Sequence, residues 1–144
     1  MKPDTVPETI QAIIAQAGGL GLRGAFVYIG ASAFTYRCAE PVGEYRSGRM
    51  SELRSENGRG FIDYEVGFQC RVNGKRSRAW TLIIAYEPDD TYTVWLVEGH
   101  RARQPESMVL ACHRDVYCDM LQDVIEETYD RAIREHNQGF IPLA

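Results

Sequence analysis

A strict alternation of apolar and polar residues limits the folds open to this 144-residue chain. Between Phe61 and Val72, every second position carries an apolar side chain: Ile62, Tyr64, Val66, Phe68, Cys70 and Val72. The positions between them carry polar residues or glycine. A period of two sends alternate side chains to opposite faces of a strand. The stretch therefore predicts a β-strand with one buried face.

Two further β-rich segments follow at short intervals. Asn73-Gly74 is typical of a hairpin turn, and the segment Arg78–Tyr86 after it is almost wholly apolar. Pro88–Asp90 indicates the next turn, and Thr91–Glu98 is a third β-rich segment. We expect the three segments to form an antiparallel meander.

The register of the first hairpin decides which side chains share a face, because a slip of one residue inverts the face. A two-residue loop sets Val66 beside Thr81, whereas a three-residue loop with a bulge sets Val66 beside Leu82. We favour the second register, since it gathers the large side chains on one face together with Trp95 and Val97 of the third strand.

The N-terminal part predicts one helix followed by short strands. Apolar residues at three- and four-residue spacing indicate a helix over about 7–17, which Gly18-Gly19 ends. Ala25–Ile29 and Ala33–Cys38 are β-rich and predict two short strands, or one strand bent between them.

A long loop and a second helix complete the expected order of elements. Pro41–Gly60 has little apolar periodicity and is expected to be a loop, with at most a helical turn at Met50–Arg54. Met108–Cys112 is either a strand or the first turn of the last helix. Asp115 is a candidate N-cap for a helix that continues to about His136.

These elements predict a single α+β domain over residues 1–144. We expect an antiparallel sheet of about five to six strands, flanked by a short N-terminal helix and a long C-terminal helix. A chain of this length is sufficient for one substantial core.

Charge and composition narrow the function classes. The net charge of −4 and the isoelectric point of about 5.4 argue against broad nucleic-acid binding and against membrane binding. With no signal-peptide pattern and no apolar stretch of about 20 residues, we expect a cytoplasmic protein. We expect four reduced and buried thiols in such a protein: Cys38, Cys70, Cys112 and Cys118.

Two local patterns are typical of cofactor or metal sites but lack the required context. Gly19–Gly24 matches G-x-G-x-x-G, yet that fingerprint needs a strand before it and a helix N-terminus after it. Here a helix precedes it and a strand is expected to follow. Cys112, His113 and Cys118 do not have the ligand spacing of structural zinc sites. We therefore expect no catalytic residue, no cofactor and no metal.

The predicted topology brings together one candidate binding surface. The turn after Val72 and the exit of the third strand at Gly99 lie at the same edge of the meander. We call the residues there the basic edge: Lys75, Arg76, Arg78, His100, Arg101 and Arg103. Such an edge suits phosphate, nucleic-acid backbone or an acidic protein surface.

A second candidate is a pocket between the sheet and the long helix, lined by Tyr64, Trp80, Tyr86 and Trp95. Since no motif defines a reaction, the leading hypothesis is a non-enzymatic interaction module that acts through protein–protein contacts. Its partner is another protein or a second copy in a homodimer. The alternatives are a binder of nucleic acid or a phosphorylated ligand at the basic edge, and an enzyme or small-ligand carrier that uses the pocket.

Overall fold

A computed structural model describes residues 7–19, 24–38, 52–56, 59–64, 66–72, 80–98 and 108–136. The helices and strands of these ranges are, in chain order, α1 (Glu8–Gln16), α2 (Ala25–Tyr28), β1 (Ser32–Cys38), β2 (Glu52–Glu56), β3 (Arg59–Asp63), β4 (Val66–Val72), β5 (Trp80–Tyr86), β6 (Tyr92–Glu98), β7 (Met108–Val116) and α3 (Leu121–His136). A single turn of 3₁₀-helix, Cys118–Met120, leads into α3.

Five strands form one antiparallel sheet in the order β1-β4-β5-β6-β7. β2 and β3 pair with each other as a separate two-stranded sheet. This architecture confirms the predicted α+β class, with its antiparallel sheet, short N-terminal helix and long C-terminal helix. The helix predicted over about 7–17 is α1.

The helices pack on one side of the five-stranded sheet because each carries an apolar stripe. Ile10 and Ile13 of α1 and Leu121 and Ile125 of α3 join one buried cluster with the even-numbered apolar residues of β4, β5 and β6. We call this side of the sheet the helix face. The other side, the second face, carries a separate buried cluster: Tyr64, Ile83, Ala85, Trp95 and Val97.

The corner between α1 and α2 depends on glycine. Gly18 ends α1 with φ at +98°, a conformation that side chains disfavour. The Ala25 N–H then donates to the Ala17 carbonyl at 2.9 Å, which closes the corner. A Cβ at Gly24 would lie 2.6 Å from the Gly19 carbonyl oxygen, so no larger residue fits there without a shift of the backbone.

The strand predicted over Ala25–Ile29 is wrong, since this segment forms α2. The Tyr28 N–H donates to the Gly24 carbonyl, and the Ile29 N–H donates to the Ala25 carbonyl. A helical turn places Phe26 and Ile29 on the same side, and both are buried in the helix-face cluster. Their burial outweighs the β-propensity of the segment.

Both predicted registers of the first hairpin are wrong. Val72 pairs with Trp80 and Phe68 with Ile84, so seven residues connect β4 to β5 instead of two or three. The observed register differs from the favoured one by an even number of residues. The large side chains of β4 and β5 therefore do share a face, as predicted.

Trp95 and Val97 lie on the second face, contrary to our prediction. Tyr86 pairs with Tyr92 across the second hairpin, which sets Trp95 opposite Ile83. The cause is the length of the turn. Its five residues are closed by the Glu87 N–H, which donates to the Thr91 carbonyl at 2.9 Å.

Several other strands and helices have boundaries that differ from the predicted ones. The alternation after Phe61 is split between β3 and β4, because β3 pairs with β2 whereas β4 pairs with β1 and β5. Glu52–Glu56 is β2 and Arg59–Asp63 is β3, so the loop predicted over Pro41–Gly60 and the helical turn predicted at Met50–Arg54 are both wrong where the structure describes those residues. Met108–Cys112 belongs to β7, and Asp115 lies within that strand instead of capping α3.

Gly24→Ala tests the α1–α2 corner. We expect a loss of about 1–3 kcal/mol in the free energy of unfolding, measured in urea, because the added methyl group overpacks the backbone. Val27→Ala, at an exposed position of the same short helix, is the matched control and should cost less than about 0.5 kcal/mol. Equal losses in the two variants would contradict this account.

Candidate functional site

The residues of the basic edge lie outside the described ranges: Lys75, Arg76, Arg78, His100, Arg101 and Arg103. The ends of β4, β5 and β6 that border these residues in the chain are neighbours in the sheet. Val72 pairs with Trp80, and Trp80 pairs with Glu98 on its other side. The basic edge itself stays a prediction.

The four aromatic residues proposed to line one pocket lie on two faces of the sheet. Trp80 and Tyr86 are on the helix face, where the Trp80 ring centroid lies 6.4 Å from that of Tyr129 in α3. Tyr64 and Trp95 are on the second face. A pocket between the sheet and the long helix therefore has only the first two within reach.

β1 is an open edge of the sheet. It pairs with β4 alone among the described strands, and six of its seven residues are exposed. The exception is Phe34, whose ring contacts those of Phe26 and Phe68 with centroids 5.6 and 5.5 Å away. These three rings fasten β1 and α2 to the helix face.

Two side chains of α2, the helix whose Phe26 contacts Phe34 of β1, are exposed. Val27 is 47% exposed and Tyr28 is 51% exposed. The Tyr28 hydroxyl donates to the Asp130 carboxylate at 2.8 Å and links α2 to α3. This hydrogen bond, with smaller effects of desolvation and of nearby charge, raises the pKa of Tyr28.

The second face combines aromatic rings with guanidinium groups. The Arg37 Cζ lies 5.5 Å from the Tyr64 ring centroid, and its Nη1 donates to the Tyr64 carbonyl at 3.0 Å. The Arg114 Cζ lies 5.0 Å from the Trp95 ring centroid. Both distances are within the range of cation–π attraction.

Tyr64 is held in place from two sides. Its hydroxyl donates to Gln69 Oε1 at 2.5 Å. Its ring packs so closely on Gly67 that a Cβ added there would lie 2.9 Å from the nearest ring atoms. Burial raises the pKa of Tyr64 to about 12, although the nearby Arg37 acts in the opposite direction. Tyr64 is therefore a neutral hydrogen-bond donor at physiological pH.

Three buried polar side-chain atoms of β6 and β7 have no hydrogen-bond partner in the described part of the chain. They are Thr93 Oγ1, Trp95 Nε1 and Arg114 Nη1. Sequence reasoning missed Thr93 and Arg114. The sequence pattern does not indicate these two residues, because it does not show that the strand containing Arg114, β7, pairs with β6.

The cysteines differ from the prediction of four buried thiols. Only Cys70 is buried, and the other three are exposed because they lie at the end of β1, on the edge strand β7 and in the turn before α3. The four cysteines form no disulfide. Within the described ranges, no three His, Cys, Asp or Glu side chains meet in a way that could hold a metal ion.

Gly24, the last glycine of the fingerprint at Gly19–Gly24, has a structural explanation. A helix does follow it, contrary to our expectation, but α2 has only four residues. Gly18 and Gly24 are required by the close approach of the backbone at the α1–α2 corner.

Comparison with known proteins finds no matching family model, no matching curated protein and no matching solved structure. None of the helices in the described part of the chain has the length and apolar character needed to cross a membrane. Functional proposals for this chain therefore rest on its own geometry.

Thiol reactivity tests the placement of the cysteines. Burial raises the pKa of Cys70 to about 12, so almost no thiolate forms there at neutral pH. We expect an aromatic disulfide reagent to label Cys38, Cys112 and Cys118 in the native protein and Cys70 only after unfolding. Rapid labelling of all four thiols without denaturant would contradict the burial of Cys70.

Stability at high pH tests the buried hydroxyls. Burial is the main cause that raises the pKa of both Tyr64 and Tyr92 from 10.0 to about 12. A raised folded-state pKa contributes stability that is complete below pH 10 and is lost as the pH rises towards 12. Urea unfolding on both sides of pH 10 should show a smaller loss in Tyr64→Phe and in Tyr92→Phe than in the parent protein. Tyr117→Phe, at an exposed tyrosine, is the matched control and should follow the parent.

Proposed function

We propose that this protein is a non-enzymatic binding module that acts through protein–protein contacts, and that the outer side of β1 receives a strand of a partner protein. The exposure of β1 at the edge of the sheet carries the proposal. An edge strand presents backbone N–H and C=O groups that a second chain can pair with. β7, the strand at the other edge, has fewer exposed residues than β1.

The side chains beside β1 indicate what such a partner strand would carry. Regular pairing with β4 extends over Thr35–Cys38. Tyr36 and Val27 offer exposed apolar surface towards the helix face, while Arg37 and Arg71 lie towards the second face. Since successive side chains of a strand point to opposite faces, the matching segment alternates apolar and acidic residues.

Charge favours a different protein over a second copy as the occupant of this edge. An antiparallel pair of β1 strands about a two-fold axis through Arg37 would bring the Arg37 side chains of the two copies together. Like charges opposite each other in a strand pair are destabilising. Self-association through β1 is therefore the weaker arrangement.

We propose the cytoplasm as the compartment in which the module acts. Three exposed cysteines that form no disulfide support this location. Exposed thiols persist in reducing compartments and are oxidised in secreted proteins.

Site-specific cross-linking from the chain's own cysteines tests the proposal. Cys112→Ser/Cys118→Ser leaves Cys38 as the reactive thiol at β1, and Cys38→Ser/Cys112→Ser leaves Cys118 in the turn before α3 as the matched control. Each variant is labelled with a photoreactive maleimide and irradiated in lysate of the natural host. We expect a defined adduct from Cys38 alone, in which the cross-linked partner peptide has alternating apolar and acidic residues.

Tyr36→Lys places a charge on the edge and should remove this adduct, because an inserted lysine disfavours strand addition. Tyr117→Lys, at an exposed site away from β1, should leave the adduct unchanged. The proposal is overturned by equal adducts from Cys38 and Cys118, by an adduct that persists in Tyr36→Lys, by an adduct of two copies of this chain, or by no adduct at all.

A further inference from the structure

We propose that the second face holds a binding site for a small oxyanion, a carboxylate or a phosphate, formed by Thr93, Trp95 and Arg114. The site is on a different part of the sheet from the β1 edge, so it stands independently of the proposed protein contact.

The first observation is that three hydrogen-bond donors on the second face are buried and have no acceptor in the described part of the chain. Thr93 is 0% exposed and Trp95 is 4% exposed, and the Nη1 of Arg114 is also screened from solvent. Thr93 Oγ1, Trp95 Nε1 and Arg114 Nη1 have no hydrogen-bond partner among the described residues. Native proteins rarely leave buried donors unsatisfied, because each loses its hydrogen bonds to water. Three in one place indicate that an acceptor is bound there in the working protein.

The second observation is that the sheet brings these donors together. Thr93 and Trp95 are two residues apart on β6 and therefore share its second face. β7 runs beside β6, with His113 opposite Val94, and the Arg114 guanidinium lies 5.0 Å from the Trp95 ring centroid.

The third observation is a bulge that positions Arg114. Between the pairs Tyr92–Val116 and Val94–His113, β7 contains one more residue than β6, and Asp115 adopts a φ of +58°. Bulges redirect side chains and are common beside functional sites, and a positive φ outside glycine is a cost that the surrounding structure must offset. Here the extra residue lies next to the arginine that faces Trp95.

The chemistry of the donors defines the ligand. An indole N–H and a guanidinium can only donate, and a threonine hydroxyl can donate as well. A small anion with several acceptor oxygens satisfies all three donors and neutralises the buried part of Arg114.

The indole N–H signals in ¹H–¹⁵N NMR spectra give a direct test. The chain has two tryptophans, and Trp80 on the helix face is an internal reference that Trp80→Phe assigns. Sodium acetate and sodium phosphate are titrated separately, with sodium chloride holding the ionic strength constant. We expect at least one of them to shift the Trp95 indole signal downfield to saturation, with the Trp80 signal unchanged. The two titrations distinguish a carboxylate ligand from a phosphate ligand.

Variants connect the shift to the three donors. Arg114→Gln should weaken the apparent affinity about tenfold or more, as expected for the loss of a charged hydrogen bond. Thr93→Val should weaken it to a smaller extent. Arg134→Gln, at an exposed position of α3, and Thr128→Val, a buried hydroxyl of α3, are matched controls and should bind as the parent does.

Three results would overturn the proposal. One is a Trp95 signal that is indifferent to both anions or changes equally in chloride. Another is unchanged binding in Arg114→Gln. The third is a shift of the Trp95 signal in Glu87→Gln without added anion, together with no response to either anion in the parent. That result would make the buried carboxylate of Glu87 the internal acceptor.

Discussion

Burial of β5 on both of its faces holds the molecule together. Leu82 and Ile84 lie on the helix face, Ile83 and Ala85 lie on the second face, and all four side chains are almost completely buried. A strand buried on both faces needs neighbours at both edges, which β4 and β6 supply through antiparallel pairing. Every other residue of the sheet inherits its face from its register with β5. The positions of Trp95, Arg37 and Arg71 on the second face follow from this one strand.

The sequence contained enough information for α1 and α3 and for the strands β4, β5 and β6, because their patterns are local. The alternation before Val72 and the apolar run before Tyr86 correctly predicted β4 and β5, whose large side chains share a face of the sheet. Turn lengths were not predictable, since seven residues connect β4 to β5 although Asn73-Gly74 alone is typical of a two-residue hairpin turn. α2 was predicted as a strand because the burial of Phe26 and Ile29 depends on contacts that are distant in sequence. Local propensity gives way to tertiary packing at such places.

The candidate sites show the same division between local and tertiary information. Tyr64, Trp80 and Trp95 are buried and Tyr86 is partly buried, and the length of the second turn decides that Trp80 and Trp95 lie on opposite faces of the sheet. Only the pairing of β7 with β6 places the Arg114 guanidinium beside the ring of Trp95. A bulge cannot be read from single-sequence periodicity. The openness of β1 likewise depends on which strands pair with it, which a local pattern does not specify.

The place of β1 in the sheet also has a consequence for the order in which the chain assembles. β4, β5, β6 and β7 are neighbours both in sequence and in space, whereas β1 joins β4 only across an interval that contains the β2–β3 pair. Closing a longer interval costs more entropy and slows the contact, so we expect the four-stranded meander to form before β1 docks. During synthesis β1 leaves the ribosome well ahead of β4, which is its only strand partner among the described residues. We therefore expect the edge at which recognition is proposed to be the last part of the sheet to form, so that the chain would become able to bind only when its fold is complete.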